Sequence, residues 1–131
     1  MIARRRILLA DDHALVRAGI RALLESLPRV VVVGETGDGL EAVELVRRDP
    51  PDAILLDITL PGLNGLEAAA RIARLDVPTR VLMLSMHASA EYAARAFAAG
   101  ASGYLNKDSA FDELATALDQ NHLQAGVAYW M

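Results

Sequence analysis

The sequence predicts a doubly wound α/β domain, a parallel sheet with helices on both faces. Two observations predict it. Four short apolar runs, Ile7-Leu8-Leu9-Ala10, Val30-Val31-Val32-Val33, Ala53-Ile54-Leu55-Leu56 and Val81-Leu82-Met83-Leu84, are continuous rather than alternating, and a weaker run, Gly103-Tyr104-Leu105, follows them. Continuous runs of this length are how strands buried on both faces read, and such strands belong to parallel sheets. The second observation is that a helical stretch follows each run. Strand and helix therefore alternate five times, which implies right-handed crossovers.

The elements follow in order. Arg4-Arg5-Arg6 precedes the first strand and reads as a solvated edge rather than an arm for nucleic acid. A helix over 13–27 stops before Pro28, and one over 40–48 stops before Pro50-Pro51. A third over 66–75 precedes Pro78. A fourth over 90–99 ends at Gly100, a suitable C-terminal cap. The fifth, Phe111 to about Gln124, has Ser109 as its N-cap, an inward stripe of Phe111, Leu114, Ala115 and Leu118, and Gly126 as its stop.

Composition narrows the function. The 131 residues suffice for one domain, and no linker, low-complexity segment or longer repeat interrupts them. The absence of Cys excludes a disulfide scaffold, a thiolate zinc site and a thiol nucleophile, and fits a reducing compartment. A net charge of −4 lacks the footprint of a nucleic-acid binder. No apolar run approaches the roughly 20 residues that span a bilayer. Ile7 to Ala10 is too short for a signal peptide. The expectation is a soluble, cytoplasmic protein.

Open parallel sheets bind ligands beyond the carboxyl ends of their strands. Asp11 and Asp12 follow the first run, Asp57 the third, Ser85 the fourth, and Lys107 lies past the fifth. Gly34-Glu35-Thr36 after the second reads as an ordinary exit. Three carboxylates on one rim repel, by a few kcal/mol per pair at ~4–6 Å and an effective dielectric near 20. Without a counterion one of them would have a raised pKa. Lys107 and a hard, oxygen-liganded cation, Mg²⁺ above all, are the candidate counterions. Lys107 is the one Lys among 13 basic residues, and a compact ammonium suits a phosphoryl group. Blander readings stand beside these. Asp12 could cap the first helix, Ser85 could be a loop residue, and Tyr104 could be a half-buried strand aromatic.

The chain resembles a response-regulator receiver domain of the NarL/FixJ type, from the two-component signalling systems of bacteria. The motifs that carry the resemblance are Leu9-Ala10-Asp11-Asp12-His13, the run from Leu55 through Asp57, Pro61 and Gly62 to Gly65, Leu84-Ser85-Met86-His87, and Gly100-Ala101-Ser102-Gly103-Tyr104-Leu105-Asn106-Lys107-Asp108. It covers about residues 6–124 of a chain read as one receiver, 1–131. The resemblance implies a five-stranded sheet of order 2-1-3-4-5 with five helices. It implies that Asp57 is the phosphoacceptor, that Asp11, Asp12, Asp57 and the backbone carbonyl of Thr59 bind Mg²⁺, and that Ser85 and Lys107 contact the phosphoryl group. Tyr104, with Ser85, matches the switch. It implies a histidine kinase as phosphodonor, a possible homodimer on phosphorylation, and a signalling switch rather than an enzyme acting on other substrates.

Some features depart from the commonest receiver pattern. Asp108 stands where many receivers have Pro, which removes the usual reason for a cis peptide. Met86 stands where many have a small residue and is expected to narrow access to the phosphoryl group. The segment Asp119-Gln120-Asn121-His122 is unusually polar for a last helix. NarL/FixJ regulators continue into a helix-turn-helix domain that gives transcriptional output. None is expected within residues 1–131, so the chain is read as a stand-alone or an excised receiver. His13 reads as a pocket-rim residue, His87 as a possible tuner of hydrolysis, His122 as surface, and Trp130 as exposed or packed by a partner.

Three rivals remain. A haloacid-dehalogenase-like phosphatase needs a second Asp two positions after the nucleophile, where this chain has Thr59. A flavodoxin-like FMN binder needs a Ser-, Thr- and Gly-rich first loop, where Asp11 and Asp12 would repel phosphate. The third rival is a receiver-fold module that works by protein contact without phosphorylation.

Overall fold

The computed structural model describes residues 4–86 and 90–107. Within them lie β1 (Arg5–Ala10), α1 (Ala14–Ser26), β2 (Val30–Thr36), α2 (Gly39–Arg48), β3 (Ala53–Asp57), α3 (Gly65–Ala73), β4 (Arg80–Ser85), α4 (Ala90–Ala98) and β5 (Gly103–Asn106). The five strands form one parallel sheet of order β2-β1-β3-β4-β5. The expected fifth helix, Asp108, His87, His122 and Trp130 lie outside the described residues. No described helix is long and apolar enough to cross a membrane.

The alternation of side chains along each strand builds two cores. On one face Leu8, Ala10, Ile54, Leu56, Met83 and Tyr104 pack with Ala42 and Val46 of α2, Ala68 and Ile72 of α3 and Ala96 of α4. On the other Ile7, Leu9, Leu55, Leu82, Leu84 and Leu105 are buried with Ile20 and Leu24 of α1. Each fully buried Leu or Ile contributes roughly 1.5–3 kcal/mol. These cores hold the carboxyl ends of β1, β3, β4 and β5 in one rim.

β2 departs from the expected pattern. Its run of four valines is not buried on both faces, because β2 is an edge strand. The pairing steps from Ile7↔Val32 to Leu8↔Gly34, so Val33 bulges out of the ladder and is 42% exposed. The strand also runs on through Gly34 and Glu35 to Thr36, the stretch read as a simple exit.

The helix ends follow their capping residues. Asp38 and Asn64 accept from the N–H groups of Glu41 and Glu67 at 3.3 and 3.0 Å, opening α2 and α3. α4 closes at Gly100, whose φ of +106° suits the left-handed cap. At α1 the cap is His13, not Asp12, and it makes no side-chain capping bond. Asp12 is thus left free of the structural role it could have played. Arg6 is tied down rather than solvated, with its guanidinium on Asp49 at 2.6 Å and on the Pro50 carbonyl at 3.1 Å.

Candidate functional site

β1 ends at Ala10, so the next residue, Asp11, emerges at the rim. There its N–H donates to the Thr36 carbonyl at 2.9 Å, which prolongs the β1–β2 ladder. β3 ends in Asp57 itself, β4 in Ser85, and Lys107 follows β5. Lys107 is fixed there by its own N–H, which donates to the Ser85 carbonyl at 2.7 Å. Asp11, Asp57 and Ser85 are each 0% exposed and Lys107 5%. Asp12 is exposed and Thr59 stands in the turn after β3.

Lys107 Nζ lies 3.0 Å from Asp57 Oδ2 and 2.9 Å from Asp11 Oδ2. The contact with Asp57 is a hydrogen bond. Asp11 Oδ2, by contrast, makes none despite its ion contact with Lys107. Asp57 Oδ1 accepts from the Thr59 N–H at 3.1 Å and from the Thr59 hydroxyl at 3.2 Å. Burial alone pushes the Asp57 carboxyl up. The Thr59 N–H and the Lys107 ammonium pull it down by more, and the net is a carboxyl held below its ordinary value. Lys107 is thus the counterion of two of the three acidic residues, Asp11 and Asp57.

Five of the residues singled out in the sequence, Asp11, Asp12, Asp57, Thr59 and Lys107, meet through these contacts and through His13. Ser85 shares the rim through the backbone bond to Lys107. Tyr104 lies two strand positions further in, opposite Met83, and is 1% exposed rather than half-buried.

Two residues gain weight from the structure. His13 is not merely at the rim. Its Nδ1 is 3.1 Å from Asp11 Oδ1, 3.4 Å from Asp57 Oδ2 and 3.5 Å from Asp12 Oδ1. Asp11, Asp12, His13 and Asp57 each offer a donor atom, and the four atoms lie within 4.8 Å of one another. Arg17, one turn into α1, donates from Nη1 to the Asp11 carbonyl at 2.8 Å and pairs through Nε with Glu35 Oε1 at 3.0 Å. Its spacing from Asp11 was the available signal, but which way it faces depends on the rotation of α1 against the sheet.

A parallel sheet of order 2-1-3-4-5 with an acidic pocket across the ends of β1 and β3, and a lysine after β5, defines a receiver-type domain. Residues 7–119 match the response regulator receiver domain family, and the chain belongs to that family. Response regulator UvrY of Escherichia coli (strain K12) is 43% identical over 112 residues, 86% of this chain and 51% of UvrY. The probable transcriptional regulatory protein NarL of Mycobacterium tuberculosis (strain CDC 1551 / Oshkosh) is 40% identical over 113 residues, 86% of this chain and 52% of that protein. This chain thus spans about half the length of these relatives. Among solved structures, a two-component response regulator of the LuxR family from Aurantimonas sp. SI85-9A1 superposes with a TM-score of 0.89 at 41% identity, covering 98% of this chain and 91% of that one. The signal receiver domain of NarL from Mycobacterium tuberculosis gives 0.87 at 37% identity, with 93% and 98% covered.

Proposed function

We propose that this chain is a phosphoacceptor switch. The Asp57 carboxylate takes a phosphoryl group from the phosphohistidine of a histidine kinase, and the new charge shifts the domain between two conformations. The observation that carries this reading is the buried pair of Asp57 and Lys107, 3.0 Å apart, in a pocket with further carboxylates. A carboxylate held below its ordinary pKa is ionised at neutral pH, as a nucleophile must be.

In the transfer an Asp57 oxygen forms a bond to phosphorus as the P–N bond to the donor imidazole breaks. The imidazole leaves with the bonding pair and takes up a proton. Asp57 becomes an acyl phosphate, which water later hydrolyses to carboxylate and inorganic phosphate. Lys107 stands against Asp57 from the outset and offsets charge on the transferred group. Ser85 supplies a hydroxyl to a phosphoryl oxygen. The domain is a signalling switch that catalyses only these reactions on itself.

The residues present fit a hard divalent cation. Asp11, Asp12 and Asp57 offer carboxylate oxygens, the Thr59 carbonyl a fourth, and Asp11 Oδ2 is buried without a hydrogen bond. Bound there, Mg²⁺ would neutralise charge developing on the phosphoryl oxygens.

The output is a population shift. Moving from 1:99 to 99:1 takes about 5.5 kcal/mol of differential affinity. A few charge-assisted hydrogen bonds from Ser85 and Lys107, at ~1.5–3 kcal/mol each, supply it. Tyr104 relays the movement of Ser85 to the α4 and β5 surface, where a kinase, a second copy or an output domain can sense it. That output is transcriptional, through a helix-turn-helix domain outside this chain, in the cytoplasm. The receiver itself contacts neither nucleic acid nor membrane.

The test is incubation with Mg²⁺ and acetyl phosphate followed by intact mass, with Asp57→Asn alongside. One added phosphoryl on the wild type alone supports the reading. If neither an adduct nor Mg²⁺ binding is found, the phosphorylation-independent interaction module replaces it.

A further inference from the structure

We propose that His13 is a metal-facing donor and the specificity-determining residue of this pocket. Its imidazole nitrogen makes the site favour divalent transition ions that take nitrogen, such as Co²⁺, Ni²⁺ and Zn²⁺, beyond what carboxylates alone would give. The inference rests on reading the pocket as a metal site.

The first argument is convergence. Nδ1 of His13 faces one oxygen each of Asp11, Asp57 and Asp12 at 3.1, 3.4 and 3.5 Å. A histidine at a helix start is by default a surface residue. This one is a half-exposed ring whose inner nitrogen points into the acidic cluster.

The second argument is the contact with Lys107, whose Nζ is 2.9 Å from Nδ1. An ammonium has donors only, so it and the three carboxylates place the ring nitrogen among groups of both signs. Three electron-rich atoms, His13 Nδ1, Asp11 Oδ2 and Asp57 Oδ2, face the one ammonium of Lys107, and Asp12 is not among its contacts. The pocket thus gathers donor atoms of two kinds, carboxylate oxygen and imidazole nitrogen, within 4.8 Å of one another.

The third argument is that the backbone is fixed while the ring has no other work. The His13 N–H donates to Asp11 Oδ1 at 2.8 Å, and its carbonyl accepts from the Arg17 N–H at 2.8 Å. The ring makes no capping bond to α1. Mg²⁺ prefers oxygen and gains little from imidazole, whereas Co²⁺, Ni²⁺ and Zn²⁺ gain much. One nitrogen among carboxylates therefore discriminates between the two classes.

The experiment is calorimetric titration of the full chain with MgCl₂ and with CoCl₂, with the visible spectrum of the Co²⁺ complex as a second readout. It compares wild type, His13→Ala, His13→Asn and Asp11→Asn. His13→Asn guards against a folding defect, because Asn is a favourable cap at that helix start. His87 and His122 are retained in every variant, so ions bound to them do not register as a loss. The expected result is that both His13 variants weaken Co²⁺ by about tenfold or more and alter its visible bands. Mg²⁺ should move by less than about threefold. Equal fold-changes for the two ions, or an unaltered Co²⁺ affinity and spectrum, would overturn the role of His13. A wild type that binds Mg²⁺ no better than Asp11→Asn would instead remove the metal-site reading itself.

Discussion

Lys107 Nζ and Asp57 Oδ2 are 3.0 Å apart, a buried hydrogen bond between residues 50 positions apart in the chain. It ties the ends of β3 and β5 across the intervening β4. The same ammonium is also the charge partner of Asp11, at 2.9 Å. One cation therefore serves two buried carboxylates.

Removing that cation has a calculable consequence. Lys107→Met leaves Asp11 and Asp57 buried and unpaired, and breaking one side of such a pair costs about 3–5 kcal/mol. In EDTA the variant should unfold at markedly lower urea than wild type. Saturating Mg²⁺ should recover more stability for Lys107→Met than for wild type, because the ion then replaces the missing charge. Urea titrations of both proteins with and without Mg²⁺ check this, and equal Mg²⁺ gains would refute it.

Gly65 opens α3 against the strand that carries Asp57. A Cβ built on it would stand 2.1 Å from the Asp57 carbonyl oxygen and 2.6 Å from Ile58 Cα. Both are backbone atoms, so Gly65→Ala must move the main chain at Asp57, the proposed phosphoacceptor. Overpacking of this kind costs about 1–3 kcal/mol. A displacement near 1 Å at a reacting group costs on the order of 100-fold in rate. Gly34→Ala is the contrast, since its Cβ would meet only the end of the Leu8 side chain at 3.2 Å. Acetyl-phosphate labelling rates and melting temperatures of the two variants should differ accordingly.

The residues on the central strands were legible because their physics is local. A continuous apolar run that stops at a carboxylate, as Leu55-Leu56-Asp57 does, means a buried strand delivering that carboxylate to the rim. β2 misled because being at the edge is a property of strand order, not of composition, and four valines read alike in either place. Val33 bulges beside Gly34, a glycine that signals a bulge only once the strand is known to run on past it. The roles of His13 and Arg17 are not legible in the sequence for another reason. Their reach toward Asp11 is set by how Ile20 and Leu24 seat α1 on the sheet, a tertiary contact that no sequence period encodes.

Arg17 should act on the pocket without entering it. Its guanidinium bridges the Asp11 carbonyl and Glu35 on the edge strand, at 2.8 and 3.0 Å. Arg17→Lys keeps the charge but loses the planar fork that holds both partners at once. Mg²⁺ affinity should fall by roughly 3–10-fold, about 0.7–1.4 kcal/mol, the scale of one lost hydrogen bond. Glu35→Gln should do less, because it leaves the Arg17 bond to Asp11 in place. Calorimetric Mg²⁺ titrations rank the two, and the reverse order would count against a positioning role.

Met86 directly follows Ser85, yet the two side chains face opposite environments, with Ser85 0% and Met86 51% exposed. The thioether is thus solvent-exposed at the end of β4, next in the chain to the residue assigned to the phosphoryl group. A bulky apolar chain there hinders the approach of the water that hydrolyses the acyl phosphate. Met86→Ala should shorten the half-life of phosphorylated Asp57 several-fold. As an exposed substitution it should leave stability within about 0.5 kcal/mol. The measurement is loss of the phosphoryl mass after removal of the phosphodonor, with a thermal melt as control. An unchanged half-life would mean that Met86 leaves the path of water open, and that hydrolysis is governed deeper in the pocket by Lys107 and the carboxylates.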